Sequence, residues 1–290
     1  FPSPKSKNQK TVVSLSPADV RKEGSHYDLA IALGFLATEG FNFVPLDRAL
    51  FIGELGLDGS IRPVRGVLPM VLAAVRLGFQ DIYIPKENRE EAALVSDCSL
   101  YPVASLIDVA NHLLHDSVSQ IPRYEKSADK EIRFAYESDM QDIAGCESAK
   151  RGLLIAASGG HNVLMHGPPG TGKTMLARAC ASILPELSLR DSLEVMAIHS
   201  IVRAPSGASS SHPPFRAPHH TSSYTAMIGG GASPRPGEVT LAHLGILFCD
   251  EFPEFDRRVI ESLRQPLEEH TVSISRTKGA ALFPARFMLI

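Results

Sequence analysis

Gly167-Pro168-Pro169-Gly170-Thr171-Gly172-Lys173-Thr174 is the stretch that decides the fold of the second half of this chain. It fits G-x-x-x-x-G-K-[ST] at every position. It also stands where that pattern carries meaning, between an apolar run, 162–166, that predicts a short buried strand and a segment, 173–184, that predicts a helix. Glycines let backbone N–H groups converge on phosphate oxygens with no Cβ in the way, and the start of the helix adds partial positive charge. Residues 167–174 are therefore the expected nucleotide-binding loop. Lys173 would reach the β- and γ-phosphates and the Thr174 hydroxyl would ligate Mg2+, so ATP and Mg2+ are the expected cofactors.

Downstream, Gly245-Ile-Leu-Phe-Cys-Asp250-Glu251 predicts a second buried strand that ends in two carboxylates, at the edge where ligands of parallel sheets bind. Asp250 is expected in the Mg2+ shell and Glu251 as the base that polarises the attacking water, with Lys173 as its catalytic partner. A helix over 148–160 precedes the loop. Strand, loop, helix and later apolar strand together predict a parallel sheet covered by helices.

Apolar periodicity lapses over 116–133, where four acidic and four basic residues mix with Ser and Pro, so this stretch is expected to be a linker. Before it, 11–17 predicts a strand and 27–40 a helix opened by a Ser25-x-x-Asp28 capping box. A hairpin over 48–64 turns at Asp58-Gly59, and helix 68–78, strand 81–85 and helix 105–114 close a compact α+β unit.

The 290 residues allow two domains, and 29 basic against 32 acidic residues give a net charge of −3, which excludes a globally basic nucleic-acid binder but not a local basic patch. Cys98, Cys146, Cys180 and Cys249 form no CxxC pair, so neither a disulfide framework nor a closed zinc site is expected and a reducing, cytoplasmic location is. The longest apolar runs, 29–37 and 68–75, are far shorter than the roughly 20 residues that span a bilayer. Phe1 in place of Met, and an apolar ending at Ile290, predict a piece cut at both ends.

GGHNVLMHGPPGTGKTMLA (159–177), PFRAPHHTSS (214–223), GGGASPRPGEVTLAHLGILFCDE (229–251) and ESLRQPLEEHTVSISR (261–276) resemble the magnesium-chelatase-like AAA+ ATPases of the ComM/YifB family. Segments 17–37, 53–74 and 82–88 resemble the Lon-protease-like domain of the same family. The resemblance implies a mixed α/β protein. A Lon-protease-like (S5-like) α+β domain would occupy 1–115, a linker 116–133, and a P-loop AAA+ parallel-sheet α/β/α core 134–290, ending before the lid. It also implies a homo-hexameric ring with ATP between subunits, and a first sensor, arginine finger, second sensor and lid that lie beyond Ile290. This piece alone is then expected to bind nucleotide poorly.

A Lon peptidase pairs a serine with a lysine, but those places fall on His26 and Leu68, so no activated nucleophile is expected. Ser25 is read instead as the cap of the helix that follows it. The activity implied is that of an ATP-driven motor acting on branched or single-stranded DNA during recombination in natural transformation. The competing readings are a magnesium-chelatase motor subunit, which the Lon-like half opposes, and a Lon-like ATP-dependent peptidase, which His26 and Leu68 oppose.

Two elements are candidates for DNA contact. Residues 271–290 carry Arg276, Lys278 and Arg286 and no acidic residue, in a pattern that predicts a hairpin, and Arg276 and Lys278 are the expected phosphate contacts. Residues 203–240 carry Arg203, Arg216, Arg235 and three histidines against Glu238, and are expected to sense nucleotide or to line a pore. The His219-His220 pair is not expected to bind metal, because adjacent side chains of an extended segment point apart.

Overall fold

The computed structural model describes residues 11–16, 22, 24–114, 119–125, 138–202, 211–231, 234–276 and 279–290; side chains are not described for 275, 276, 279 and 280. The described residues divide into two compact units, one within 1–130 and one within 131–290. No helix among them is long and apolar enough to cross a membrane.

In the first unit the chain runs α1 (Asp28–Thr38), β1 (Ala49–Phe51), β2 (Glu54–Leu55), β3 (Ile61–Arg62), α2 (Val67–Arg76), β4 (Asp81–Pro85), α3 (Arg89–Ala92), β5 (Ser99–Val103) and α4 (Leu106–Leu113). Strands β1, β4 and β5 form a parallel sheet in that order. Phe51, Tyr83 and Tyr101 lie opposite one another across it and stack at centroid distances of 4.7 and 4.8 Å, a cross-strand ladder that fixes the register. Leu29 and Leu33 of α1 and Val109 and Leu113 of α4 complete this core. The β2–β3 hairpin turns at Gly59, with φ of 81°, while Asp58 Oδ1 accepts from the amide and hydroxyl of Ser60.

A buried polar group starts α2. The amide of Leu68 donates to the carboxylate of Glu91 at 3.3 Å, and fully buried Asn88 donates to Glu91 and exchanges two hydrogen bonds with the backbone of Val64. A carboxylate at a helix N-terminus meets both an unsatisfied amide and the positive end of the macrodipole.

Several sequence expectations fail here for identifiable reasons. Residues 11–16 are exposed and form no strand: Val12, Val13 and Leu15 do not keep the strict alternation of a half-buried strand. Ser25 does not cap α1; its hydroxyl donates to the Glu54 carboxylate, and Asp28 accepts instead from the amide of Leu55. Strand β5, with Pro102 inside it, was not expected, and it is an edge strand of its sheet, where proline is tolerated. Within the presumed linker, residues 119–125 are fastened to the first unit: the amide of Ile121 donates to His112, the amide of Tyr124 donates to Leu100 O at 2.8 Å, and its hydroxyl donates to Glu90. Mixed charge concealed Ile121, which packs against the core of the first unit.

The second unit runs α5 (Glu147–Gly159), α6 (Lys173–Cys180), α7 (Leu189–Val202), β6 (Phe215–Arg216), α8 (Tyr224–Ile228), β7 (Gly229–Gly230), β8 (Arg235–Pro236), α9 (Glu238–Leu241), β9 (Ile246–Leu247), α10 (Arg257–Ser262), α11 (Arg264–Glu269), β10 (Thr271–Arg276), β11 (Gly279–Pro284) and β12 (Met288–Leu289). Strands β12, β9 and β6 are parallel in that order. Side chains alternate along the central segment. Ile246 and Phe248 pack with Leu153, Leu176 and Ala177 of α5 and α6, while Leu247 and Cys249 pack with Val259, Leu263, Val272 and Ile274. Both faces of the sheet are covered, which is why this segment is apolar at four successive positions.

The run 162–166 is not a regular strand. It lies along β12, with the amide of Val163 donating to Leu289 O, but the amide of Leu289 donates to the Asn162 side chain rather than to a carbonyl. A side chain takes a ladder position there, and Leu164 stays exposed.

Candidate nucleotide site

The parallel register brings the two expected halves of the site to one edge of the sheet. The loop leaves residues 162–166 and enters α6 at Lys173, with Gly172 as N-cap at φ of 82° and Gly170 at 79°, left-handed conformations that only glycine adopts without strain. Thr171 Oγ1 donates to Pro168 O at 2.9 Å. The Lys173 ammonium curls back over the loop and donates to Gly167 O at 2.9 Å and Pro168 O at 2.8 Å. The loop is thus closed by hydrogen bonds that a phosphate can replace.

From the end of β9, Asp250 Oδ2 accepts a hydrogen bond of 2.9 Å from the Thr174 hydroxyl, across 76 residues of sequence. Asp250 Oδ1 accepts from the amide of Glu251, which fixes the start of the turn. A hydroxyl and a carboxylate side by side are hard oxygen donors, the set that Mg2+ takes together with phosphate oxygens. Cys249, one residue earlier, points into the core, and burial pushes its thiol up to about 12, so no thiolate competes beside Asp250.

Glu251 has φ of 54° and ψ of 45°. A non-glycine residue in this region costs about 1–3 kcal/mol and persists where the surroundings impose it. Its carboxylate is largely exposed, and Oε2 lies 3.4 Å from Nδ1 of His220. His220 has no expected role of its own, only that of its segment, 203–240, which is expected to sense nucleotide or to line a pore. The rings of His219 and His220 lie side by side at 4.1 Å rather than on opposite faces, because the chain turns at 220–221 and His219 Nδ1 accepts from Thr221.

Of the basic residues in 203–240, Arg216 is spent within the fold: it makes a two-pronged ion pair with Glu238, at 2.6 and 2.7 Å. Arg203 lies outside the described residues. The expected hairpin is present as β10 and β11. Lys278 lies outside the described residues, as does the side chain of Arg276, whose backbone pairs with Gly279.

In the first unit, His26 is half-buried; burial lowers its pKa from the ordinary value, with Asp28 opposing. Leu68 is fully buried.

A glycine-rich loop at a helix N-terminus, joined by Thr174 and Asp250 to the carboxylate-bearing end of a neighbouring parallel strand, defines the second unit as a P-loop nucleotide-binding domain. Residues 139–290 match the family model described as magnesium chelatase, subunit ChlI, and residues 3–88 match a second one, subunit ChlI of Mg-chelatase. The chain belongs to this family of magnesium-chelatase-like AAA+ ATPases. It is 42% identical over 287 residues to the competence protein ComM of Haemophilus influenzae, covering 97% of this chain and 56% of that protein. In the N-terminal region it is 30% identical over 100 residues to the archaeal Lon protease of Archaeoglobus fulgidus, covering 32% of this chain and 16% of that protein. Among solved structures, the complex of subunits BchI and BchD of magnesium chelatase aligns with a TM-score of 0.41 and 24% identity, over 51% of this chain and 52% of that one. The chain spans about half the length of the ComM relative it matches.

Proposed function

We propose that this chain carries the ATP-hydrolysing part of a AAA+ motor that assembles as a homo-hexameric ring in the cytoplasm and acts on DNA, in a ComM-like role in recombination during natural transformation. The observation that carries the ATPase part is the Thr174–Asp250 hydrogen bond, which joins the phosphate loop to the carboxylate strand. Residues 167–174 hold the triphosphate through backbone amides, and Lys173 exchanges its two loop carbonyls for phosphate oxygens. Thr174 and Asp250 would hold Mg2+, whose charge would offset that of the phosphates. Glu251 takes the proton of the attacking water, an effect worth typically 10²–10⁴-fold.

The DNA part rests on likeness to ComM and on the basic hairpin, whose Arg276 and Lys278 are assigned to phosphate contact. The first unit is assigned a binding or assembly role without peptidase activity, because a fully buried leucine, Leu68, stands at the place of the required lysine. The family models favour a second reading, a motor subunit of a chelatase. ATP turnover of the intact protein with and without single-stranded or branched DNA separates the two. Stimulation by DNA is expected, and turnover indifferent to every DNA form would remove the DNA reading while leaving the ATPase.

A further inference from the structure

Residues 119–125 meet β5, an edge strand of the first sheet, and turn Ile121 and Tyr124 inward while Pro122, Arg123 and Glu125 stay exposed. Few bonds fasten them at the Tyr124 end. The amide of Tyr124 donates to Leu100 O at 2.8 Å and its hydroxyl to Glu90 at 2.8 Å, Arg89 lies 6.0 Å from its ring, and Arg123 donates to Cys98 O at 3.4 Å. Both side-chain hydrogen bonds are exposed, so this segment opens locally well before the unit unfolds.

The other end hangs on one imidazole. The side chain of Ile121 packs on the core, and its amide donates to Nδ1 of His112 on α4 at 3.0 Å. That bond requires the neutral ring with its proton on Nε2, because a proton on Nδ1 would set one N–H against another. The ring lies 5.8 Å from Tyr83 of β4 and 5.5 Å from Tyr101 of β5. Burial lowers its pKa from the ordinary value, and Asp81 of β4, which also accepts from the Tyr101 hydroxyl, opposes. Other charges on the neighbouring elements are engaged elsewhere. Asp108 of α4 accepts from Ser105, Asp28 of α1 accepts from the amide of Leu55, and Arg123 of the segment itself donates to Cys98 O.

We propose that 119–125 is a detachable strap and that the charge on His112 decides whether it is fastened. With the ring neutral, the strap is held at both ends. With the ring protonated, the Ile121 amide loses its acceptor and the exposed contacts at Tyr124 are left to hold the strap. The chain that leads to the second unit is then no longer fixed at 119–125, and each freed residue adds at most about 3.5 Å to the span it can bridge. Because the fastened state favours the neutral ring, fastening is complete above about pH 6.5. It weakens below that, by at most about tenfold per pH unit, until the lowered pKa of the fastened state is passed. Nothing in this device depends on the nucleotide site.

Amide hydrogen exchange of the intact protein, read by mass spectrometry and corrected for the intrinsic effect of pH, tests it. Between pH 7.5 and 5.5, peptides covering 119–125 are expected to lose protection by roughly 3–10-fold while peptides over 81–85 keep theirs. His112→Asn, whose Oδ1 accepts without titrating, is expected to make the protection of 119–125 independent of pH. Linkage supplies a second measurement that leaves His112 in place. Tyr124→Ala, which loosens the strap, is expected to raise the His112 pKa toward the ordinary value, read from exchange of the imidazole C2 proton in the same protein. Strap protection unchanged from pH 7.5 to 5.5, an equal loss in His112→Asn, a loss shared by 81–85, or a His112 pKa unmoved by Tyr124→Ala would each overturn the proposal.

Discussion

Lys173→Ala tests the phosphate loop most directly, and the structure sets its magnitude. In the present geometry the ammonium satisfies Gly167 O and Pro168 O. Nucleotide binding therefore exchanges two neutral acceptors for anionic ones. At about 3 Å and an effective dielectric of about 20, one unit of phosphate charge attracts the ammonium by about 5 kcal/mol. Giving up two carbonyl hydrogen bonds of about 1 kcal/mol each leaves roughly 3 kcal/mol of net gain. Removing the side chain should thus weaken Mg-ATP binding by on the order of 100-fold. The fold should be little affected, because both hydrogen bonds lie in a partly exposed loop, and a loss below about 2 kcal/mol is expected. Titration calorimetry with Mg-ATP on the intact protein, beside a urea melt of the same sample, measures both quantities. Affinity within about threefold of the parent, in a variant shown to be folded, would mean that the loop closes on itself and holds no phosphate.

Other expectations concern the frame around the site and the DNA. Gly245→Ala forces a Cβ against the backbone of Pro214 and should destabilise the second unit by about 1–3 kcal/mol in a urea melt; an unshifted midpoint would refute the close approach. His243 is buried, and burial lowers its pKa below the ordinary value, with Glu194 and Asp191 opposing and Arg286 reinforcing. The unfolded chain then binds a proton the folded one refuses, so stability is complete above about pH 6.5 and falls below it, by at most about 1.4 kcal/mol per pH unit. His243→Asn, whose Oδ1 can accept from the amide of Arg286 as Nδ1 does, should lose less stability between pH 7.5 and 5.5 than the parent; equal losses would clear His243 of any part. The double change Arg276→Ala, Lys278→Ala should weaken DNA binding across all sequences and flatten its salt dependence while basal ATPase persists; parent-like affinity at several salt concentrations would exonerate the hairpin.

Features written in local pattern were legible in the sequence. The loop glycines, helix α6, the apolar core of β9 and the hairpin all declare themselves within a dozen residues, because each obeys one period or one turn rule. Features that depend on a distant partner were not. Ser25 followed by Asp28 matches a capping box, yet Glu54 competes for the serine hydroxyl and Leu55 for the carboxylate. Strand β6 has only two residues and exists because β9 offers it a ladder. The His220–Glu251 contact is invisible until the register of that ladder is known, after which counting four residues from each strand finds it.

The same ladder bears on which basic element is free to meet DNA. From sequence, the hairpin is the expected DNA contact, through Arg276 and Lys278, and 203–240, expected to sense nucleotide or line a pore, is the next candidate. In the structure Glu238 takes both prongs of Arg216, with each side chain about a quarter exposed. A pair in that setting is much less screened than a surface pair and is costly to break, since removing one partner strands the other charge. Pulling Arg216 away to a phosphate would strand Glu238 and release β6 from α9. The residue that gives this segment much of its basic character therefore serves the sheet edge at β6. Among the described residues of 211–240, Arg235 is the one remaining Arg or Lys. Counterion release scales with the number of phosphates neutralised, so the loss of Arg216 leaves 203–240 with Arg235 and with Arg203, which lies outside the described residues, and makes the segment the poorer source of sequence-independent affinity. By sequence, 271–290 carries Arg276, Lys278 and Arg286 and no acidic residue, which is why DNA contact is proposed there rather than at 203–240.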